Sequence, residues 1–305
     1  MKNGSLQHLK PWEKVLYFFS AFFLFWIIAQ FISIVLCQSF FDIDLTDYNF
    51  QDFTRIDVIR LNKILNLISH LFIFIIPSII FAKLLSFNPS EVIQNRKPHK
   101  RVWFLVPIFF IVFTILNELF SLLNQSMDFT FVSSKFQADL KYEQAIRTKA
   151  IYAYIGTTWK SFAANIFLLA LIPAIGEELT FRGILQHLFS KVTKNVYAGV
   201  ILSAFLFALI HFQPFNFLPI FALGLMYGFI VMYTGSIWIS MILHFANNAL
   251  SIGFMHLERY YGWNMQSNLL IDVGILLISA LVLFILVKKN SQISKWNEVK
   301  GIYLR

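Results

Sequence analysis

The chain has 305 residues, of which 58% are hydrophobic and only 13% are charged. This composition excludes an ordinary soluble domain, in which about a quarter of the residues carry a charge. The formal net charge is +9, but the Lys and Arg residues lie at the ends of apolar segments rather than in one patch, so we expect no nucleic-acid partner. Because Cys37 is the only cysteine, a disulfide framework and a cysteine-based metal site are also excluded.

The apolar runs predict a polytopic membrane protein. A helix needs about 20 apolar residues to cross the hydrocarbon core of a bilayer. The runs that meet or approach this length are 15–37, 64–85, 102–124, 160–190, 196–212, 216–233, 236–256 and 268–288. The first run is too long for the apolar core of a signal peptide, so we expect it to be a retained span. The predicted fold is an all-α bundle of about eight transmembrane helices.

Two long connections divide the chain. Segment 38–63 is rich in aspartate, and segment 125–159 has a mixed composition that is compatible with an amphipathic surface helix. We therefore expect an N-terminal part with three spans and both polar loops (1–159), a membrane core of spans four to eight (160–288) and a basic tail (289–305). The sequence indicates no role for the two loops.

Basic residues predict the orientation of the bundle. Four clusters flank the spans: Lys2, Lys10 and Lys14; Arg96, Lys97, Lys100 and Arg101; Lys191 and Lys194; and Lys288, Lys289, Lys295, Lys300 and Arg305. In an eight-span arrangement all four lie on the same side of the membrane. The positive-inside rule makes that side cytoplasmic, so we expect both termini in the cytoplasm.

The segment GEELTFRGILQH, residues 176–187, places charges in an otherwise apolar helix. Charged groups are costly inside a membrane, so they indicate a functional site. Glu178 and Arg182 are four residues apart and share one helix face, where we expect them to pair. Glu177 lies about 100° further round the helix and has no cation on its own face. It is therefore the carboxylate that is left to meet a neighbouring helix.

Two later spans carry further polar groups. His211 ends an F-x-x-x-H pattern that begins at Phe207, and His244 and Asn248 form an H-x-x-x-N pattern on one helix face. A single histidine in a membrane helix is more often an interhelical hydrogen-bonding residue than a catalyst. That packing interpretation is kept for the polar residues of the earlier spans, with Glu118 as a candidate to support the site: Gln30, His70, Asn117 and Glu118.

The combination of these groups suits hydrolysis. Glu177 can take a proton from water, and His211 can hold that water in position. His244 and Asn248 can donate hydrogen bonds to the oxyanion of a tetrahedral intermediate. This interpretation requires no cofactor. In the alternative, Glu177, His211 and His244 bind one zinc ion that keeps a fourth position for water.

The three motifs resemble those of a known family. E-E-x-x-x-R, F-x-x-x-H and H-x-x-x-N follow one another in the C-terminal spans. In this order they resemble the CPBP family of intramembrane endopeptidases, which includes the type II CAAX prenyl endopeptidases and the bacteriocin-processing and Abi-type bacterial proteins. The resemblance covers residues 160–256, whereas the first three spans are similar only in hydropathy.

The resemblance implies a role for each motif residue. Glu177 corresponds to the water-activating glutamate and Glu178, paired with Arg182, supports it. His211 positions the water, while His244 and Asn248 form the oxyanion site. The family has been described both as metalloproteases and as glutamate-dependent proteases without a catalytic metal. Asn248 favours the second description, because an amide is a poor metal ligand and a good hydrogen-bond donor.

We therefore expect an intramembrane endopeptidase, of CAAX type or processing peptides such as bacteriocins, in the inner (plasma) membrane of a bacterial cell. Its expected partners are the lipid bilayer and a peptide or lipidated protein substrate. The alternatives are a non-catalytic immunity or scaffold protein of the same fold, the zinc-dependent protease and a proton-coupled transporter. The transporter is the least favoured, because the two halves of the chain show no repeat.

Overall fold

The structure, a computed structural model, describes residues 4–41, 49–86, 88–100, 102–156 and 158–262, together with 274–275, 277–278 and 281. Every regular element within these ranges is helical, and they contain no strand. The predicted all-α class is confirmed.

The described residues form eight main helices. They are α1 (Pro11–Phe40), α2 (Ile56–Leu85), α3 (Val102–Gln125), α4 (Ser134–Ile155), α5 (Trp159–Thr193), α6 (Val196–Ile210), α7 (Phe217–Thr234) and α8 (Ile237–Tyr261). A single helical turn, Pro89–Val92, and a 3₁₀ turn, Pro214–Asn216, lie in the connections.

Six of the described helices are long and apolar enough to cross a membrane: α1, α2, α3, α5, α7 with its preceding turn, and α8. The polytopic membrane class is therefore confirmed. The predicted fifth span corresponds to α6, which is apolar but has only 15 residues. The predicted eighth span, 268–288, lies outside the described residues except at the five positions 274–275, 277–278 and 281. A count of eight spans therefore stays a prediction.

The sequence prediction places the start of the second span too far along the chain. Helix α2 starts at Ile56 rather than at residue 64, because Val58 and Leu61 in its polar first turns are buried. Lys63 lies in the same extension, and its Nζ donates a hydrogen bond to the Tyr154 carbonyl at 2.7 Å. Tertiary packing thus extends this helix beyond its apolar run.

Helix α4 is the surface helix anticipated in segment 125–159, but its polar and apolar residues are not segregated to opposite faces as an amphipathic helix requires. The hydroxyl of Ser133 caps it by accepting a hydrogen bond from the Phe136 amide at 3.0 Å. Gly156, with φ of +61°, ends it in a conformation that other residues rarely adopt. Ile155 is its only buried residue, so the helix lies on the surface of the bundle.

Helices α2 and α5 each contain a π-helical turn just before a proline. In α2 the turn is His70–Ile75, followed by Pro77, and in α5 it is Ile166–Leu171, followed by Pro173. A proline has no amide donor, and its ring clashes with the carbonyl four residues earlier. The widened turn accommodates that clash without breaking the helix. A second π-helical turn in α5, Leu179–Leu185, follows directly after the paired glutamates.

Helices α2 and α5 approach closely at the level of these turns. A Cβ atom added to Gly176 would lie 3.0 Å from both the Phe74 Cβ and the Ile75 Cγ1. One turn further on, the Thr180 hydroxyl bonds to the Ser78 hydroxyl at 2.8 Å and to the Phe74 carbonyl at 3.1 Å. The glycine before Glu177 therefore lets α2 pass directly beside the charged segment.

Candidate active site

Glu178 and Arg182 form a fully buried ion pair. Arg182 Nη1 donates to Glu178 Oε1 at 2.8 Å, which is the pair that the spacing of four residues predicts. Arg182 Nη2 donates to the Gly224 carbonyl of α7 at 3.2 Å, so the guanidinium is also tied to a second helix. The same guanidinium lies 4.5 Å from the ring centroid of Phe207 and 5.4 Å from that of Tyr227. Its charge is thus compensated from several directions at a buried position.

His244 of α8 joins the two carboxylates. Its Nδ1 lies 2.9 Å from Glu178 Oε1, and its Nε2 lies 3.8 Å from Glu177 Oε2. The imidazole stacks on the ring of Tyr227 at a centroid distance of 5.2 Å. His244 therefore spans the pair of glutamates.

The structure brings one residue to Glu177 that the sequence motifs missed. His70 Nε2, on α2, lies 3.5 Å from Glu177 Oε1. The other ring nitrogen, Nδ1, donates to the Asn66 carbonyl at 3.0 Å and so fixes the ring. We interpreted His70 as a packing residue, since it belongs to none of the three motifs. The only available signal was its position in the middle of an apolar span.

His211 and Asn248 are less closely joined to this cluster. His211 Nδ1 donates to the Phe207 carbonyl at 2.6 Å, and its ring meets the edge of the Phe207 ring at 4.7 Å. Within the described part of the chain, it makes no hydrogen bond or ion pair with Glu177. Asn248 is half-buried, one turn beyond His244. Glu118 is exposed on α3, so it does not support the site.

Comparison with known proteins agrees with the motifs. Residues 159–250 match the family model described as type II CAAX prenyl endopeptidase, Rce1-like. The predicted family resemblance is confirmed. We call residues 159–250 the Rce1-like segment. It includes all residues of the three motifs, whereas His70 and helices α1 to α4 lie outside it. The family is a protease family.

One curated relative is similar over part of the chain. The chain is 28% identical over 102 residues to the uncharacterized protein YpbD of Bacillus subtilis (strain 168). The aligned region covers 31% of this chain, and the chain spans about half (49%) of the length of that relative. No solved structure gives a significant match.

The fixed orientations of the imidazoles locate a proton beside Glu177. His70 Nδ1 bonds to a carbonyl, which only accepts, so this nitrogen carries the hydrogen. When the ring is neutral, His70 Nε2 is consequently an acceptor, and it faces a carboxylate oxygen that is also an acceptor. Two acceptors do not attract each other. The contact therefore needs a proton on the ring or on the carboxyl group, or a water molecule beside the two atoms that donates to both.

The formal charges of the buried cluster give the same result. Glu177 and Glu178 contribute two negative charges, and Arg182 contributes one positive charge. An uncompensated charge in a low-dielectric site is costly. One positive charge on either imidazole beside Glu177, that of His70 or that of His244, makes the cluster neutral.

Two buried polar atoms beside the cluster have no hydrogen-bond partner among the described residues. They are Glu178 Oε2 and the Tyr227 hydroxyl. Buried polar atoms of this kind are usually satisfied by an ordered water. The cluster therefore has unused hydrogen-bonding capacity for water.

The alternative zinc set is Glu177, His211 and His244. Among the described residues, no group of three or more His, Cys, Asp or Glu side chains is arranged to hold a metal ion. Glu177 and His244 approach each other, whereas His211 has no hydrogen bond or ion pair with either of them among these residues. The zinc alternative therefore stays a prediction that metal analysis can test.

Proposed function

We propose that the protein is an intramembrane endopeptidase that hydrolyses a peptide bond with a water molecule activated by Glu177. The observation that carries this proposal is the position of Glu177, buried in the middle of α5 between the imidazoles of His70 and His244. The substrate class is a peptide or a lipidated protein that reaches the site from the bilayer. The match of residues 159–250 to a protease family supports the same class of reaction.

The proposed reaction balances without a cofactor. As the water oxygen bonds to the peptide carbonyl carbon, the Glu177 carboxylate takes one water proton and the carbonyl π electrons move to oxygen. His244, protonated on Nε2, donates a hydrogen bond to the oxyanion, and the Asn248 amide is the second donor. The C–N bond then breaks, and the leaving amine takes the proton from Glu177. The products are a new carboxyl group and a new amine.

Glu178 and Arg182 act through His244 rather than on the substrate. Glu178 Oε1 accepts hydrogen bonds from both Arg182 and His244, so it fixes the imidazole and stabilises its positive charge. Glu178 is thus engaged through Oε1 in holding Arg182 and His244 in place, while its Oε2 has no partner among the described residues. Glu177, which has no arginine partner, is therefore the better base.

His70 and His211 both position the attacking water in the proposed reaction. A water that donates one proton to Glu177 Oε1 and the other to His70 Nε2 relieves the contact between these two acceptors and presents its lone pair to the substrate. His211 donates from Nδ1 to the Phe207 carbonyl, and its Nε2 has no hydrogen bond among the described residues. We assign it to the same task on the side of α6, where the substrate completes the site.

The test is turnover of a peptide library by purified protein in lipid nanodiscs. Glu177→Gln is nearly isosteric and removes only the ability to accept a proton, so turnover should fall below detection while the thermal unfolding curve stays close to that of the wild type. Glu118→Gln, which alters an exposed carboxylate of α3, is the matched control and should cleave normally. Cleavage by Glu177→Gln at the wild-type rate would contradict the proposal. Absence of cleavage by every form would favour the non-catalytic immunity or scaffold alternative.

Elemental analysis of the same preparations tests the zinc alternative. We expect no stoichiometric zinc in the active wild-type protein. One zinc per chain that is lost in His211→Ala would establish the metal-dependent reaction in place of ours.

A further inference from the structure

We infer that a second site, at the C-terminal end of α5, binds a phosphate-bearing anion. A cavity of about 370 Å³ lies there between α1, the end of α2 and the last turns of α5. Lys14 of α1 and both His187 and Lys191 of α5 line it. This cavity lies at the end of α5 that carries Lys191 and shares no lining residue with the candidate active site.

Among the described residues, the two lysines of this cavity have no carboxylate within ion-pair distance. Lys14 Nζ donates only a long hydrogen bond, 3.4 Å, to the Gln7 carbonyl. Neither Lys14 nor Lys191 forms an ion pair with any described residue, although both are partly withdrawn from solvent. Glu91 also lines the cavity, but it is exposed and bonds to neither lysine. Two ammonium groups therefore share the cavity with a single carboxylate, which leaves an excess of positive charge.

His187 also lines the cavity. It is 5% exposed and lies one turn before Lys191, on the same helix face. The positive charge of the cavity comes from Lys14 and Lys191, and the imidazole is a buried polar group beside them. Like charges that share a poorly solvated space repel each other, and a bound anion removes that repulsion.

The shape and location of the cavity favour a phosphate group. Its polar wall includes the ammonium groups of Lys14 and Lys191 and also the side chains of Gln7, Ser86 and Glu91, while Leu85, Val92 and Leu188 supply an apolar wall. Basic pockets between transmembrane helices on the cytoplasmic side take anionic lipid headgroups, and the basic clusters predict that this end of the bundle is cytoplasmic. A lipid headgroup and a free phosphate offer the same oxygens to the two lysines, so the experiment has to separate these sources.

The experiment measures binding and thermal stability of the full-length protein in a neutral detergent. The probes are inorganic phosphate and a short-chain phosphatidic acid, with a short-chain phosphatidylcholine as the zwitterionic reference. We expect phosphatidic acid or phosphate to raise the Tm of the wild type, and phosphatidylcholine to have a much smaller effect. A response to both anions identifies a general phosphate site, whereas a response to phosphatidic acid alone identifies a lipid headgroup site.

Substitutions of the lining lysines test whether the anions bind in this cavity. Lys14→Gln and Lys191→Gln are each expected to weaken binding roughly tenfold, which is the usual loss for one charge-assisted hydrogen bond. Without ligand, each variant should be as stable as the wild type or slightly more so, because the repulsion is reduced. Lys194→Gln removes an exposed charge that does not line the cavity and is the matched control.

Three results would overturn the inference. They are the absence of any Tm shift with both anions, an equal shift in Lys14→Gln and Lys194→Gln, and a stability of Lys14→Gln well below that of the wild type. Native mass spectrometry of the wild-type protein needs no variant and should show one bound phosphatidic acid or phosphate per chain. A spectrum with neither ligand would contradict the inference equally.

Discussion

The Rce1-like segment and the N-terminal helices contribute to the candidate site in different ways. Within the segment, the groups are set by local spacing: Glu178 and Arg182 pair across one helical turn. The N-terminal helices contribute one contact across a long sequence separation, between His70 and Glu177. The motif residues therefore supply most of the polar groups of the site. Helix α2, outside the matched region, adds His70 next to Glu177, the proposed base.

The two regions also differ in burial. In the most apolar window of each helix, 6% of α1 and 17% of α2 is buried, against 44% of α5 and 50% of α7 with its preceding turn. Helices α5 and α7 are therefore interior, whereas α1 and α2 present most of their surface outwards. On such a helix, a polar side chain that points inwards, as His70 does, needs an interior partner.

The largest effect is expected within the Rce1-like segment. Glu178→Gln leaves Arg182 buried without its counter-charge and should lower the free energy of unfolding by about 3–5 kcal/mol. Thermal unfolding in nanodiscs measures this loss, and activity should fall with it because His244 loses its anchor. The double variant Glu178→Gln, Arg182→Met should recover part of the stability. A stable Glu178→Gln protein would show that the pair is not essential to the core of this segment.

A somewhat smaller effect is expected at His244, the residue that links α8 to both carboxylates. His244→Ala removes one proposed oxyanion donor, which is typically worth about 10²–10³ in turnover. The loss should appear in kcat rather than in KM, since the oxyanion exists only in the transition state and the intermediate. A variant that loses affinity but keeps kcat would move His244 from the chemistry to substrate binding.

The smallest effect is expected at His70, and it tests whether the N-terminal region takes part at all. His70→Gln retains a hydrogen-bond acceptor for the water, whereas His70→Phe retains a ring without one. Loss of a single hydrogen bond to the water should lower kcat by roughly tenfold in the Phe variant, with partial recovery in the Gln variant. Equal rates for both variants and the wild type would limit His70 to packing.

Much of the site could be predicted from the sequence because it depends on helix geometry. The pairing of Glu178 with Arg182 follows from 3.6 residues per turn, and charges in an apolar helix indicate an interior surface. The motifs placed His244 in the same site as Glu177, but the contact between them depends on the packing of α8 on α5, which the sequence does not show. The bond from His211 Nδ1 to the Phe207 carbonyl depends likewise on local structure, because α6 ends at Ile210.

The contribution of α2 could not be predicted in the same way. His70 meets Glu177 because two π-helical turns widen α2 and α5 and because Gly176 lets their backbones approach. These features depend on tertiary packing. The periodicity of an apolar run does not distinguish an α-helical turn from a π-helical one, and a glycine in a membrane helix has several uses. The early start of α2 at Ile56 has the same origin, since burial of Val58 and Leu61 is a tertiary effect.

The central claim is that Glu177 activates a water molecule which attacks the peptide bond directly. The most direct test is a single turnover, with enzyme in excess over a cleavable peptide, in ¹⁸O-labelled water, followed by mass spectrometry of the N-terminal product. We predict one ¹⁸O atom in its new carboxyl group on the first turnover for the wild type and no product for Glu177→Gln. A first-turnover product that contains only ¹⁶O, or product formation by Glu177→Gln at the wild-type rate, would contradict the account.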